Sequence, residues 1–433
     1  DSVETIKIGN KESPGENCLH IKKMDPHSTS GFYYIKPECS RKPFRIFCDF
    51  TIYEDAVDIY IFKDGSHLPN PDLSYLDITN EKDVATLLEA VLKNANVNEG
   101  RPVKSVGREG VDYYNKLGYV PYDVGINENA ARTLEYAYAD FTIAAMAEKL
   151  NKPELSKRFY KQSKNYENLF DPETKWMRGK NQDGTFQSPF NPLKWGDAFT
   201  EGSSWHWTWC VFHDPLGLAE SFGGIEKMRN RLDEVFTAPP TFNYSYYGQQ
   251  IHEITEMIVS DMGQYAHGNQ PVQHAIYLYN WLGQPWKTQK LARDIMNKLY
   301  SPNPDGLCGD EDNGQTSAWY VFSAIGFYPV TPGTGQYALG SPLFSNVKLH
   351  LENGNTFELK AENNTFENVY INSIRKNNSE YNLNYIYLIF LSMLTICLHH
   401  LTISIIIDVN KERAPAFLKK PKSNAKEVLS GLT

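Results

Sequence analysis

Apolar residues recur at helical spacing through the middle of this chain, and that periodicity restricts the fold more than any other feature. From about Asn80, Val84, Leu87, Leu88, Val91 and Leu92 fall on one helical face, and Thr133 to Leu150 repeats the pattern with Ala, Leu, Tyr and Met. Further helices are predicted at roughly 153–170, 203–213, 224–236, 271–283, 286–299 and 316–326, separated by loops rich in Gly, Pro, Asn and Asp. About eight helices over about 250 residues, with chemistry-bearing side chains gathered in the loops between them, predict a helical toroid rather than a slim bundle.

The flanks read differently. Residues 1–53 carry short apolar runs at Phe32 to Ile35 and Phe44 to Phe50, bounded by Pro37 and Pro43, and predict two or three strands. Residues 54–79 read as a linker, 80–335 as the helical domain and 336–384 as a β region. In that region Val347, Leu349 and Leu351, Phe357 and Leu359, and Val369 and Ile371 alternate with period two. Tyr385 to Ile407 is a long apolar run followed by a basic tail over 408–433 with Lys411, Arg413, Lys419, Lys420 and Lys422. It fits a transmembrane anchor with a basic flank. It equally fits buried strands, because Ile405-Ile-Ile is β-prone, or a divergent apolar segment.

Composition excludes some partners. With 43 Lys plus Arg against 52 Asp plus Glu, a net charge of −9 and no long basic run before residue 410, nothing resembles a surface that tracks phosphates, so no nucleic acid is expected. The 27 Tyr, 22 Phe and 8 Trp suit clefts in which sugar faces stack on rings, although large cores use aromatics too. Three of the six cysteines (Cys18, Cys39, Cys48) fall at the start, which points to an oxidising compartment. The sequons at Asn243, Asn363 and Asn377 agree with a secretory-pathway or extracellular location. The chain opens on Asp1 without an apolar leader, as a processed protein or a fragment would.

Three segments concentrate chemistry. Gly309 to Trp319 places Asp310, Glu311 and Asp312 before Thr316 and Ser317, giving oxygen ligands for a hard cation, a carboxylate able to activate water, or an acidic helix start favoured by the macrodipole. Trp195 to Trp209 sets Glu201 among four tryptophans, where a desolvated carboxyl becomes a proton donor near neutral pH; the plainer alternative is a helix start beside core tryptophans. Gly263 to His274 is dense in amides and imidazoles, and amide oxygens suit calcium or sugar hydroxyls. His267 and His274 match no usual local zinc spacing. With no Gly-rich phosphate loop, Gly-x-Ser-x-Gly elbow or Cys-x-x-Cys, separated acids, amide-rich loops and aromatic walls point to glycoside hydrolysis.

From about residue 80 to 386 the chain resembles glycoside hydrolase family 92, the calcium-dependent exo-acting α-mannosidases. The resemblance runs through Gly118-Tyr-Val-Pro-Tyr-Asp123, Arg132-Thr-Leu-Glu-Tyr-Ala-Tyr138, Met177-Arg-Gly-Lys180, Thr200-Glu-Gly202, Gly263 to Pro271, Gly283 to Gln289, Asp310-Glu-Asp312, Ser317 to Phe322 and Gly326-Phe-Tyr-Pro-Val330. It implies a mainly α fold, part of an (α/α)6 barrel, and inverting hydrolysis of terminal α-linked mannose from N-glycans or mannans. It assigns Glu201 as general acid, Asp310 and Asp312 as the general-base pair, and Asn269, Gln270 and Asp312 as the residues nearest a calcium ion. Trp205, His252, Glu253, His267 and His274 are the candidate substrate-binding side chains, a surface or structural role being the alternative for His252 and Glu253.

Departures accompany the resemblance. The family's sandwich domain and its Trp-Asp-x-x-Arg stretch have no counterpart, roughly half of the catalytic unit is absent, and Gln270 stands where many members carry Glu. An incomplete toroid exposes apolar helix faces. A glycan-binding or adhesion protein with a non-catalytic core is therefore the alternative function. Residues 15–53 separately resemble the start of a fibrinogen-like domain, through Cys18, Ser30-Gly-Phe-Tyr-Tyr-Ile-Lys-Pro37 and Pro43-Phe-Arg-Ile-Phe-Cys-Asp49, and that resemblance implies a Cys18–Cys48 disulfide.

Overall fold

A computed structural model describes residues 31–36, 44–49, 57–58, 81–96, 107–350, 356–387 and 402–412, with scattered positions between 13 and 27. The chain divides into two units, Asp1–Ala90 and Val91–Thr433. In the first, Gly31–Ile35, Phe44–Asp49 and Val57–Asp58 form a three-stranded antiparallel sheet in chain order, in register through Gly31↔Cys48 and Ile35↔Phe44. The strands expected there are present. Cys18, the other half of the implied disulfide, lies outside the described residues.

The second unit is predominantly helical, as its periodicity requires. Its longest helix, Asn129–Lys149, buries Ala130, Ala131, Leu134, Ala137, Phe141 and Ala144. Small alanines on that face let neighbours approach closely. Asn151, in the left-handed conformation at φ 53°, turns the chain into Pro153–Gln162. Phe159 of that second helix then packs against Ile143 and Ala144.

The main core continues through Trp195, Trp209 and Trp319, each fully buried. Trp209 stacks on Phe222 at 5.9 Å with ring planes 4° apart. Each buried indole removes about 200 Å² from water, on the order of 5 kcal/mol of gross hydrophobic stabilisation.

Several predicted helices are shorter than their patterns. Residues 203–213 yield only Ser204–Trp207, and 271–283 yields Gln270–Gln273 followed by a 3-10 turn over Ala275–Asn280. Apolar runs there serve burial from all sides, which helical periodicity does not distinguish from a helix. Ile225–Thr237, Pro285–Leu299 and Gln315–Ile325 form close to their expected positions.

The C-terminal β region extends beyond residue 384. A five-stranded sheet runs in the order Ser379–Glu380, Tyr370–Lys376, Thr402–Asn410, Thr356–Glu362, Asn346–His350. Thr402–Asn410 lies near its centre, antiparallel to one neighbour (Ile374↔Ile407) and parallel to the other (Ile405↔Leu359). Tyr385–Tyr387 pairs with Gln336–Leu339 in a separate three-stranded sheet.

Of the 385–407 run read as a membrane anchor or as strands, the described parts, Tyr385–Tyr387 and Thr402 onward, are strand, and residues 388–401 lie outside the described residues. Ile405, Ile407 and Val409 are buried while Ser404, Ile406 and Asp408 are half-exposed, the period of a strand and not of a helix. Among the described residues no helix is long and apolar enough to cross a membrane. Of its described residues, Ile386, Ile405 and Ile407 join Phe327, Leu339, Phe357 and Ile371 in a second core.

Candidate active site

Glu201 sits on a tightly folded turn. The Gly196 N–H donates to the Gly202 carbonyl at 2.9 Å, and Gly196, Asp197 and Glu201 all take left-handed backbone, Glu201 at φ 42°. For a residue with a Cβ that conformation costs about 1–2 kcal/mol, and it persists because the surroundings impose it. The Asp197 carboxylate gathers the Lys194 ammonium at 2.6 Å, the Tyr122 hydroxyl at 3.0 Å and the Gln187 amide at 3.2 Å. The Trp207 indole donates to the Thr200 carbonyl at 2.8 Å.

The Glu201 peptide is held from two directions. Its N–H donates to the Tyr247 hydroxyl at 3.1 Å, and its carbonyl accepts from the Asn269 side chain at 2.6 Å. Glu201 remains exposed to solvent, and its carboxyl is pushed above the usual range first by partial desolvation, then by the negative charges of Glu253, Asp312 and Glu128, with His252 opposing. A carboxyl so biased keeps its proton to higher pH than an ordinary glutamate, which suits it to donating one.

The acidic loop lies within reach of the same turn. The Gly268 and Gly309 backbones meet so closely that a Cβ on Gly309 would stand 2.4 Å from the Gly268 carbonyl oxygen, so the Asn269 loop and the 308–312 loop pack directly on each other. Thr316 fastens the pair: its hydroxyl donates to the Asp310 carbonyl at 2.8 Å and accepts from the amides of Gln273 at 3.3 Å and Gln270 at 3.5 Å.

The three acids of the loop divide their work. Glu311 accepts from the Gly314 N–H at 2.6 Å and the Ser317 N–H at 3.3 Å, capping the helix Gln315–Ile325. The helix-start reading therefore holds for Glu311. Asp310 and Asp312 stay exposed, Asp312 on left-handed backbone at φ 51°. His252, at the start of the helix His252–Ser260, faces Asp310 of the acidic loop and two acids of its own helix. Its ring lies 2.9 Å from Glu256, 3.3 Å from Glu253 and 4.0 Å from Asp310, and its pKa is raised chiefly by the Glu256 hydrogen bond.

Comparison with known proteins identifies the family. The model of the glycosyl hydrolase family 92 catalytic domain matches residues 72–394. The chain belongs to glycoside hydrolase family 92. An inverting mannosidase of family 92 from Bacteroides thetaiotaomicron is 45% identical with a TM-score of 0.69, over 84% of this chain and 49% of that one. A family 92 α-mannosidase of the same bacterium, solved in complex with mannoimidazole, is 32% identical with a TM-score of 0.67, over 77% of this chain and 42% of that one. An uncharacterized secreted glycosidase of Arthroderma benhamiae is 28% identical over 343 residues, 71% of this chain and 41% of that protein. The family 92 chain therefore spans about half or less of the length of these relatives.

Not every expected contact in this family 92 site reaches the rim. His267 is fully buried between the hydroxyls of Tyr265 at 2.8 Å and Tyr300 at 2.7 Å, and burial pushes its pKa down to about 3. His274 is also interior, its Nε2 2.7 Å from the Trp209 carbonyl oxygen and its pKa lowered to about 4. Both are neutral packing groups, and the amide-rich segment misled because core histidines and ligand-facing ones look alike in sequence. Trp205 is half-buried with its ring 4.6 Å from the buried Trp176.

Sequence reasoning overlooked Tyr247, Glu128 and Glu256. Only Glu256 left a signal, its i,i+4 spacing from His252. Among the described residues no group of three His, Cys, Asp or Glu side chains is arranged to hold a metal by itself. A cation here would depend on amide and carbonyl oxygens, and the residues offer them. Asn269 and Gln270 carry side-chain amides, Asp312 is exposed, and Glu253 and Glu256 each keep one buried carboxylate oxygen without a hydrogen-bond partner. An all-oxygen donor set fits calcium and disfavours zinc.

Proposed function

We propose that this chain carries the catalytic chemistry of an inverting α-mannosidase, releasing terminal α-linked mannose from N-glycans or mannans. The observation that carries the reading is the contact joining the Glu201 turn to the acidic loop: the Asn269 side chain holds the Glu201 carbonyl at 2.6 Å, and the Asn269 loop packs through Gly268 directly on Gly309. Glu201 donates its proton to the departing glycosidic oxygen as the C1–O bond breaks. Asp310 or Asp312 takes a proton from the water that attacks the opposite face of the ring, so the configuration at C1 inverts. His252 and Glu253 bind sugar hydroxyls at the rim.

Asn269, Gln270 and Asp312 would hold calcium, which supplies an oxygen-seeking charge for neighbouring sugar hydroxyls. The helices of residues 80–335 are read as part of an (α/α)6 barrel. The secreted relative from Arthroderma benhamiae supports action outside the cytosol. Incubating the folded protein with α-1,2-mannobiose, with calcium and with chelator, tests the reading. Calcium-dependent release of mannose, appearing first as the β-anomer by NMR, is expected. Mannose binding without release would favour the glycan-binding alternative, and neither binding nor release would reject both.

A further inference from the structure

Beside the Glu201 turn, the segment Thr241 to Gly248 holds three tyrosines, and one of them has an unusual setting. Tyr246 is 40% exposed, yet its ring is fixed. It lies over Gly196 so closely that a Cβ there would stand 2.3 Å from the ring edge, and it meets the half-buried Tyr247 ring edge-on at 5.1 Å and 81°. The segment carrying it is pinned to the Glu201 turn by paired backbone bonds, Trp195 N–H to the Asn243 carbonyl and Asn243 N–H to the Leu193 carbonyl, both at 2.9 Å. Tyr247 then reaches the Glu201 N–H directly. A ring fixed with one face open to solvent beside the Glu201 turn presents a flat apolar surface of the kind on which a sugar face can stack.

Glu201 lies between two loops of opposite character, the tyrosine loop on its N–H side and the oxygen-rich Asn269 loop on its carbonyl side. The carboxylates that would activate water lie on the 308–312 loop, which packs against the second. The leaving group must therefore lie toward the first. We infer that Tyr246 is the stacking platform for the leaving-group sugar of an α-mannoside, with Tyr247 supporting it from below. The inference deepens the mannosidase reading and rests on it.

Two substrates isolate the platform, because α-mannosyl fluoride has no leaving-group sugar and α-1,2-mannobiose has one. For Tyr246→Ala, the ratio of kcat/KM on mannobiose to that on the fluoride should fall roughly tenfold, the scale of one lost ring stack, mostly through KM. Tyr246→Phe should restore it, since stacking needs the ring and not the hydroxyl. Tyr244→Ala, an exposed tyrosine of the same loop that does not rest on Gly196, should keep the wild-type ratio. An unchanged ratio in Tyr246→Ala, or an equal loss in Tyr244→Ala, overturns the inference.

If the wild-type protein releases mannose from neither substrate, the catalytic reading fails, and calorimetric titration with α-1,2-mannobiose still decides the platform. Roughly tenfold weaker binding by Tyr246→Ala supports it. Equal binding, or none by either protein, overturns it.

Discussion

The Glu201 turn and the 310–312 loop are built in opposite ways. Glu201 is fixed through both peptide groups, backed by the buried indoles of Trp195 and Trp207, and surrounded by carboxylates that raise its proton affinity. Asp310 extends a side chain that is 70% exposed, and its backbone is held by the Thr316 hydroxyl. The contrast follows from chemistry. A proton donor must resist ionising, which the like charges around Glu201 and its partial desolvation favour although the residue stays exposed, whereas a base must remain ionised and meet water. One fold supplies both settings by placing a tethered turn against a projecting loop.

The widest test of that contrast removes the proton and keeps the shape. Glu201→Gln should lower kcat/KM on α-1,2-mannobiose by at least about a hundredfold, the low end of general-acid contributions. On α-mannosyl fluoride, whose leaving group needs no proton, the loss should be much smaller. The comparison breaks if both substrates suffer equally, because the side chain would then be supporting the turn and not the departing oxygen.

Replacing one projecting carboxylate should have an intermediate effect. Asp312→Asn is expected to lower kcat by about ten- to a hundredfold and to raise the calcium concentration needed for half-maximal activity. Asp310→Asn, assayed in parallel, should lower kcat with the calcium midpoint unmoved. A normal calcium midpoint in Asp312→Asn would separate the base from the cation site.

Much of this was legible in the sequence, and the failures share a cause. Asn129–Lys149 and Pro285–Leu299 show helical periodicity because each has one apolar face. Residues 203–213 and 271–283 gave false length because Trp207, Trp209, Val211, Ile276 and Leu278 are buried from several directions, which erases the period. Ile405 and Ile407 read as a membrane span or a strand until ladder partners were known, since a central strand is apolar for reasons outside itself. Within the site, acids and glycines carried the signal. Tyr247 left none, because its task is to receive the N–H of a residue 46 positions away.

The smallest effect is the most diagnostic. If Glu201 must be protonated to act, the alkaline limb of kcat/KM follows its raised pKa, and activity falls as pH rises through it. After partial desolvation, the Glu253 charge is the leading cause of that rise, while His252 opposes it. Glu253→Gln should therefore shift the alkaline limb to lower pH. The same change weakens the support Glu253 gives to a protonated His252, which works in the other direction, but the Glu256 hydrogen bond is the larger support for that ring and remains. His252→Ala, by removing an opposing positive charge, should shift the limb to higher pH. Two substitutions on one helix would then move one titration in opposite directions, with both shifts shrinking as salt is added. Limbs that coincide with the wild-type profile would detach Glu201 from the carboxylates facing it and leave partial desolvation alone to set its proton affinity.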